Sequence, residues 1–532
     1  MELKELIDLS NKAFQEKNFQ KSIELLKKIV VLQPNTYEVY LRLGLASSSL
    51  GNLEEAIGYF EKGASINPNS SPIYCNLGNL HAELNNKNVA LKNYFRAIEL
   101  NPKNFNANYN LGSFYFKIGD LENSEKYLKL AINIIPNHFY VYNSLFLLYD
   151  RSNNFKKLED ILKKAKKFFP GNSLIKFFEG IIEYRKKNFK EAIDIFSKAN
   201  LDKRDVSRNM LKMNYIAKSY DQLGLYQEAY KFFEISNKIS EELPKNNSNK
   251  ENFLDSISKR INYFSNIKAN QIQKKRHIDK QADPVFLIGF PRSGTTLLDT
   301  ILRTHNSIEV LEEKPVVDRL LKEMEKNTGS SFSSLEEIDQ LEVKNLRDLY
   351  NGEREKYIKF EQGKIYVDKF PLNIVYLAEI NKIFPNAKYI LALRNPRDSV
   401  LSCFMQSFTP NDAMSNMLSI NDASNLYDQS MELFKIYQKN LDLKLHEIKY
   451  EDVINNFEPT IKNLLKFLEV EWTDNLSEFY KTAENKRIIS TPSYDQVNKP
   501  LYNKSIGRWK NYKDKFIETN KIFEKWNKEF KY

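Results

Sequence analysis

Residues 289–296 read Gly-Phe-Pro-Arg-Ser-Gly-Thr-Thr, between the apolar run Val285-Phe286-Leu287-Ile288 and the helical pattern Leu297-Leu298-Asp299-Thr300-Ile301-Leu302. A glycine-containing turn between a buried strand and a helix presents backbone N–H groups and the positive end of the helix dipole to an anion. In the nucleotide-hydrolase form of such a loop, a lysine reaches the β- and γ-phosphates and the neighbouring hydroxyl holds magnesium. Here Thr295 stands at the lysine position, and the nearest cation is Arg292, inside the loop. The pattern disfavours ATP or GTP hydrolysis. It suits a donor held by its 5′-phosphate, without a triphosphate–magnesium unit.

The elements that must position this loop follow from the pattern around it. From Pro284 onward, short apolar runs alternate with helical patterns, as in a parallel sheet with covering helices. The strand candidates are residues 285–288, 365–367, 389–393 and 445–448. Ligands of open sheets lie beyond the carboxyl ends of the strands. Arg292, Lys369, Arg394 and Tyr450 follow the four candidates in turn. A P-loop-like α/β domain with a central parallel sheet is therefore predicted over residues 284–532.

The first half has a different organisation. Prolines fall at 34, 68, 102, 136 and 170, a constant step of 34 residues. Gly44, Gly78 and Gly112 share one phase, Ala56, Ala90 and Ser124 a second, and Gly51, Asn85, Gly119 and Asn153 a third. Tyr40, Tyr74 and Tyr142 keep the same beat. Small residues suit helix–helix packing, the third phase suits a left-handed turn, and each proline stops a helix. The beat continues past Pro170 through Gly180, Ala192, Phe196 and Ala199. After an insertion near residues 202–208 it resumes at Ala217, Gly224, Ala229 and Phe233. The period and its residues resemble tetratricopeptide repeats, about seven of them over residues 1–240. The resemblance implies an all-α solenoid whose groove holds a protein or peptide. Asn76 and Asn110 occupy one first-helix position and are candidates to bond an extended peptide, or plain surface residues. Residues 241–283 read as a linker with a helical segment to about Ala269 and the basic run Lys274-Lys275-Arg276-His277.

Composition narrows the class. The net charge is +11, but the lysines are spread evenly, unlike the clustered basic face of a nucleic-acid binder. An anionic substrate in a basic cleft and a lysine-rich solvated surface both account for it. No apolar run approaches a membrane span, and the charged start Met-Glu-Leu-Lys-Glu-Leu-Ile-Asp lacks a signal-peptide core. The two cysteines, Cys75 and Cys403, cannot form a disulfide framework. A soluble, cytoplasmic protein is expected. No histidine lies in ligand spacing with another, and no metal is required.

Pro291-Arg292-Ser293-Gly294-Thr295-Thr296-Leu297, with Leu393-Arg394-Asn395-Pro396-Arg397-Asp398-Ser399 and Ser402, resembles the sulfotransferases that use 3′-phosphoadenosine 5′-phosphosulfate. The tyrosylprotein sulfotransferases are the nearest in pattern. Glu312-Glu313, Asp368-Lys369, residues 384–389, Tyr450-Glu451-Asp452, Ser493-Tyr494-Asp495-Gln496-Val497 and Lys499-Pro500 extend the likeness to about Trp509. Sulfuryl transfer resembles phosphoryl transfer, an in-line reaction helped mainly by positioning and positive charge. The resemblance implies that residues 291–296 cradle the 5′-phosphate while Arg394 and Ser402 hold the 3′-phosphate. It makes Glu313 the catalytic base, with Glu312 as the alternative, and gives Lys369 and Arg292 the charge at the reacting centre. It further implies that Lys369 steadies the leaving phosphate oxygen and that Ser493 bonds at the same centre. Tyr450 is then an adenine contact and Arg508 a basic phosphate contact. The donor product is adenosine 3′,5′-bisphosphate. His305 reads as structural, although some sulfotransferases use a histidine base.

Two positions depart from the tyrosylprotein pattern: Gln406 and Pro315 each stand where that family has an arginine. The second puts peptide recognition in question. The family's membrane anchor and disulfides are also missing from the pattern. The expected activity is sulfation of a protein tyrosine with the repeats binding the acceptor or a partner. The alternatives are sulfation of a carbohydrate or lipid hydroxyl, a P-loop kinase, and an inactive scaffold.

Overall fold

The computed structural model describes residues 2–243, 249–267, 282–333, 335–484, 501 and 503–532. The chain divides into two compact units, Met1–Glu179 and Gly180–Tyr532. In the first unit, helices come in antiparallel pairs. Leu3–Gln15 pairs with Phe19–Leu32, Tyr37–Ser49 with Leu53–Ile66, and Ser71–Glu83 with Lys87–Leu100. Phe105–Ile118 with Leu121–Ile134 and Phe139–Arg151 with Phe155–Phe168 complete the series. Each second helix ends two residues before one of the periodic prolines, as the sequence predicts. The pairs pack through their small residues. A Cβ on Gly44 would lie 2.5 Å from the Phe60 ring, and one on Gly78 2.6 Å from Tyr94. Any larger residue would force the two helices apart.

The beat is also written in the backbone. Left-handed residues occur at Lys17, Gly51, Asn85, Gly119, Asn153, Lys187 and Gly224, each between the helices of a pair. The step is 34 residues until the last, which is longer by the insertion near residues 202–208. Asn76 and Asn110 spend their amide groups internally. Asn76 Nδ2 donates to Pro72 O at 2.9 Å, and Asn110 Nδ2 to Cys75 Sγ at 3.7 Å.

The second unit contains the last helix pair of the repeat region as well as the sheet. Val206–Gln222 and Tyr226–Ser240 place Ala217, Ala229 and Phe233 in one apolar core with Phe404 and Met405. Asn214 Nδ2 donates to Met405 O at 3.0 Å, and Asn237 Nδ2 to Phe404 O and Leu418 O at 3.0 and 2.9 Å. The compact division therefore falls within the helix Ser173–Arg185, ahead of the expected repeat boundary at residue 240. The helix Lys250–Asn266 is pinned to the same unit by the buried Arg260–Glu379 ion pair at 2.7 Å. The basic run 274–277 lies outside the described residues.

The sheet has five parallel strands: β1 (Val285–Gly289), β2 (Ile308–Glu312), β3 (Ile365–Lys369), β4 (Lys388–Leu393) and β5 (Lys444–Lys449), in the order β2-β3-β1-β4-β5. Four match the expected strands; β2 was not expected and adds an edge. Every residue of β1 is buried. Val285 and Leu287 enter one apolar cluster, Phe286 and Ile288 another. A strand covered on both faces reads as a continuous apolar run, which is why the sequence shows one here. Strands are added on one side of β1 and then on the other, all parallel, so the carboxyl ends of β3, β1 and β4 stand side by side.

Candidate functional site

The loop after β1 turns through two left-handed residues, Arg292 (φ 69°) and Gly294 (φ 100°), before the helix Thr295–Thr304. Gly294 is required twice over. Its φ disfavours an L side chain, and a Cβ there would lie 2.8 Å from Tyr450 Cδ2. Ser293 and Thr295 are buried within the turn, and Ser293 Oγ has no hydrogen-bond partner among the described residues. The first amides of the helix carry the positive end of its dipole. Cys403 donates its thiol to Pro291 O at 3.4 Å, and burial pushes that thiol up to about 12, so it acts as a strut.

Arg394, at the end of β4, ties the site together. It is 8% exposed and donates from Nη1 to Arg292 O at 3.0 Å and from Nη2 to Ser505 O at 2.5 Å. Its guanidinium lies 4.9 Å from the Tyr450 ring centre. Arg292 Nε in turn donates to Ser402 Oγ at 3.0 Å. The sequence places these groups 110 residues apart; the β1–β4 pairing makes them neighbours. Arg394 and Ser402 border a small cleft whose polar lining also includes Asp398, Ser505 and Arg508. Asp398 accepts from Gly507 N at 2.6 Å and Trp509 N at 2.9 Å, so it anchors the segment that delivers Ser505 and Arg508. Tyr450, expected as an adenine contact, sits against Gly294 and Arg394.

A second cluster stands at the ends of β2 and β3. Glu312 and Lys369 are register partners, and Glu313 N donates to Lys369 O at 2.9 Å. Glu313 adopts a left-handed conformation, φ 47°, which carries its carboxylate to 2.7 Å from Lys369 Nζ. Lys369 is fully buried, and two further carboxylates approach it: Glu312 at 3.8 Å and Asp299 at 3.9 Å. Asp299 also accepts from Arg303 at 2.7 Å, one turn along the same helix. A buried ammonium persists only with such compensation. Asp299 belongs to no motif read from the sequence, although its i, i+4 spacing to Arg303 is visible there.

His305 is occupied elsewhere. Its Nδ1 accepts from Ser307 N at 3.1 Å, which leaves Nε2 to donate to Glu471 O at 2.9 Å. A ring bonded to backbone at both nitrogens is structural, and a share in the base role is not supported. Ser493 lies outside the described residues, as do residues 494–500. Among the described residues, no group of three or more His, Cys, Asp or Glu could hold a metal ion. No described helix is long and apolar enough to cross a membrane.

Comparison with known proteins finds matches in both halves of the chain. Residues 284–474 match the model of the sulfotransferase family. Residues 37–70 and 105–138 match a tetratricopeptide repeat model, residues 82–119 a TPR repeat model, and residues 127–242 the Iml2/tetratricopeptide repeat protein 39 model. An uncharacterized protein of Aquifex aeolicus is 29% identical over 264 residues, covering 48% of this chain and 34% of that protein. Protein-tyrosine sulfotransferase 1 of Danio rerio is 28% identical over 240 residues, covering 43% and 66%. Protein-tyrosine sulfotransferase 1 of Homo sapiens is 26% identical over 264 residues, covering 48% and 70%. The chain thus spans from a third to about two thirds of the length of these relatives. Among solved structures, MamA is 26% identical, with a TM-score of 0.28 over 31% of this chain and 91% of its own. The chain joins tetratricopeptide repeats to a sulfotransferase-family domain distantly similar to protein-tyrosine sulfotransferases.

Proposed function

We propose that this protein transfers a sulfuryl group from 3′-phosphoadenosine 5′-phosphosulfate to a protein tyrosine, with the repeats holding the acceptor protein. The observation that carries the reading is the adjacency of two clusters on one sheet edge. One is the Arg292–Ser402–Arg394 group, which borders a basic cleft. The other is the Glu313–Lys369 pair at 2.7 Å. The donor fits this chemistry. A 5′-phosphate suits the amides of the loop and the buried Ser293 hydroxyl, and a 3′-phosphate suits Arg394, Ser402 and Arg508. Tyr450 offers an aromatic face for the base. Ser493 is assigned, by resemblance alone, a bond at the reacting centre.

In the reaction, the acceptor oxygen forms a bond to sulfur as the bond between sulfur and the phosphate oxygen breaks. Glu313 takes the acceptor proton. Lys369 and Arg292 balance charge on the departing phosphate oxygen, and adenosine 3′,5′-bisphosphate leaves. A phenol of pKa about 10 is a poor proton donor to a carboxylate, so cations that stabilise the phenolate are essential. Lys369 supplies one without rearrangement, because burial and three carboxylates already fix it.

The functional division follows the sequence reading: repeats over 1–240, a linker over 241–283 and the transferase over 284–532, working in the cytoplasm. A second acceptor class, a carbohydrate or lipid hydroxyl, is favoured by one observation: Pro315 is exposed where the tyrosine-sulfating family has an arginine. Calorimetric titration with adenosine 3′,5′-bisphosphate and with ATP–magnesium tests the donor. Tighter binding of ATP–magnesium would refute the assignment. Labelled donor offered with tyrosine peptides, and separately with glycans, decides the acceptor.

A further inference from the structure

The last helix pair of the repeat region reaches an arginine of the donor cleft through Asp221. Asp221 lies near the end of Val206–Gln222 and is 7% exposed. Its Oδ2 accepts from Arg508 Nη2 at 2.7 Å, and its Oδ1 from the Tyr512 hydroxyl at 2.7 Å. Arg508 lines the cleft beside Arg394 and Ser402, whereas Tyr512 is buried and turns its ring toward Tyr226 at 5.4 Å. One carboxylate therefore grips both the cleft arginine and the buried anchor of the segment that carries it. By residue type alone, an aspartate on a helix is expected at a solvated face. Its burial argues otherwise, since an isolated carboxylate out of water is costly and stays charged only when paired.

We infer that Asp221 is a positioning residue for donor recognition, holding the Arg508 guanidinium toward the 3′-phosphate end of the cleft. The inference rests on the donor assignment made above. A long arginine side chain loses about 2 kcal/mol of rotamer freedom when fixed, and a partner that fixes it beforehand removes that cost from the binding step. The bond to Asp221 uses one of five N–H groups on the planar fork, so the guanidinium keeps its capacity for a phosphate. The second contact, to Tyr512, holds the carboxylate still. The final repeat thus completes a nucleotide pocket as well as extending a solenoid.

The test uses the full chain and two nucleotides, adenosine 3′,5′-bisphosphate and adenosine 5′-monophosphate, which differ only at the 3′-position. Asp221→Ala should weaken the bisphosphate about tenfold, the size of one hydrogen bond to a charged group. Affinity for the monophosphate should stay within twofold. Arg508→Ala should do the same, and the double variant should be no worse than either alone. Asp221→Asn keeps the size and a hydrogen-bond acceptor. It should fall between, and it carries the test if the alanine variant does not fold. Equal losses for both nucleotides, no loss for either, or additive losses in the double variant would each overturn the inference. If the unaltered protein binds the two nucleotides equally, the donor assignment itself fails, which separates that failure from this one.

Discussion

Glu313→Gln gives the sharpest test of the proposed chemistry. The change removes a charge and keeps length, shape and the demand for a left-handed backbone. Exposed ion pairs are worth about 0.2–1 kcal/mol, and breaking a buried pair costs about 3–5 kcal/mol. Glu313 and Lys369 span that range, since the glutamate side chain is 41% exposed and the lysine fully buried. Glu312 at 3.8 Å and Asp299 at 3.9 Å still balance the ammonium, so the loss should be near the lower figure. A stability loss of about 1 kcal/mol moves the midpoint of a unit this large by about 2 °C. Loss of a general base lowers turnover by about 10²- to 10⁴-fold, or about 3–5 kcal/mol of barrier. The two readouts therefore separate. Transfer from labelled donor should fall at least about a hundredfold, while the melting curve and calorimetric affinity for adenosine 3′,5′-bisphosphate stay nearly unchanged. Turnover within tenfold of the unaltered protein would refute Glu313 as the base.

Three further outcomes are expected. Gly294→Ala places a Cβ 2.8 Å from Tyr450 at φ 100° and should destabilise by about 2 kcal/mol, from left-handed strain plus contact. Titration should show nucleotide affinity falling with it, because the displaced ring lies under Arg394; unchanged affinity would break that link. Burial raises Asp368 to about 7, while Tyr350 donates to it at 2.9 Å. The folded state thus favours the protonated acid: that contribution is complete below about pH 4 and is lost as pH rises through 7. Asp368→Asn should accordingly gain stability relative to the unaltered protein at pH 8 compared with pH 5, read by denaturant melts at both. Finally, a chain beginning at Gly171 should remain folded, whereas one beginning at Glu241 should melt earlier or aggregate. The second loses Phe233, Asn214 and Asn237, which the sheet domain's core and carbonyls require. Equal melting of the two would refute the shared core.

The repeat region was legible because its information is local and periodic. A proline after each second helix and a small residue at each crossing recur at one spacing, and each acts on its own pair. Lys17 and Lys187 escaped notice because lysine carries no preference for the left-handed turn they occupy. The turn after β1 was equally plain, since strand, turn and helix are contiguous. Strand β2 was not, because Ile308-Glu309-Val310-Leu311-Glu312 is short and half polar, as an edge strand can be. With it went the reason Glu313 meets Lys369: the register of β2 on β3.

By itself, then, the chain's order of residues determined the 34-residue helix pairs, the glycine-containing turn after β1 and most of the chemical inventory. The tertiary structure alone decided which distant charges share a site. Arg292 meets Ser402, Asp299 approaches Lys369, and Asp221 holds Arg508 from 287 residues away. Periodicity reports on forces between near neighbours in the chain. Contacts between distant residues arise from strand order and core packing, which leave no spacing to read.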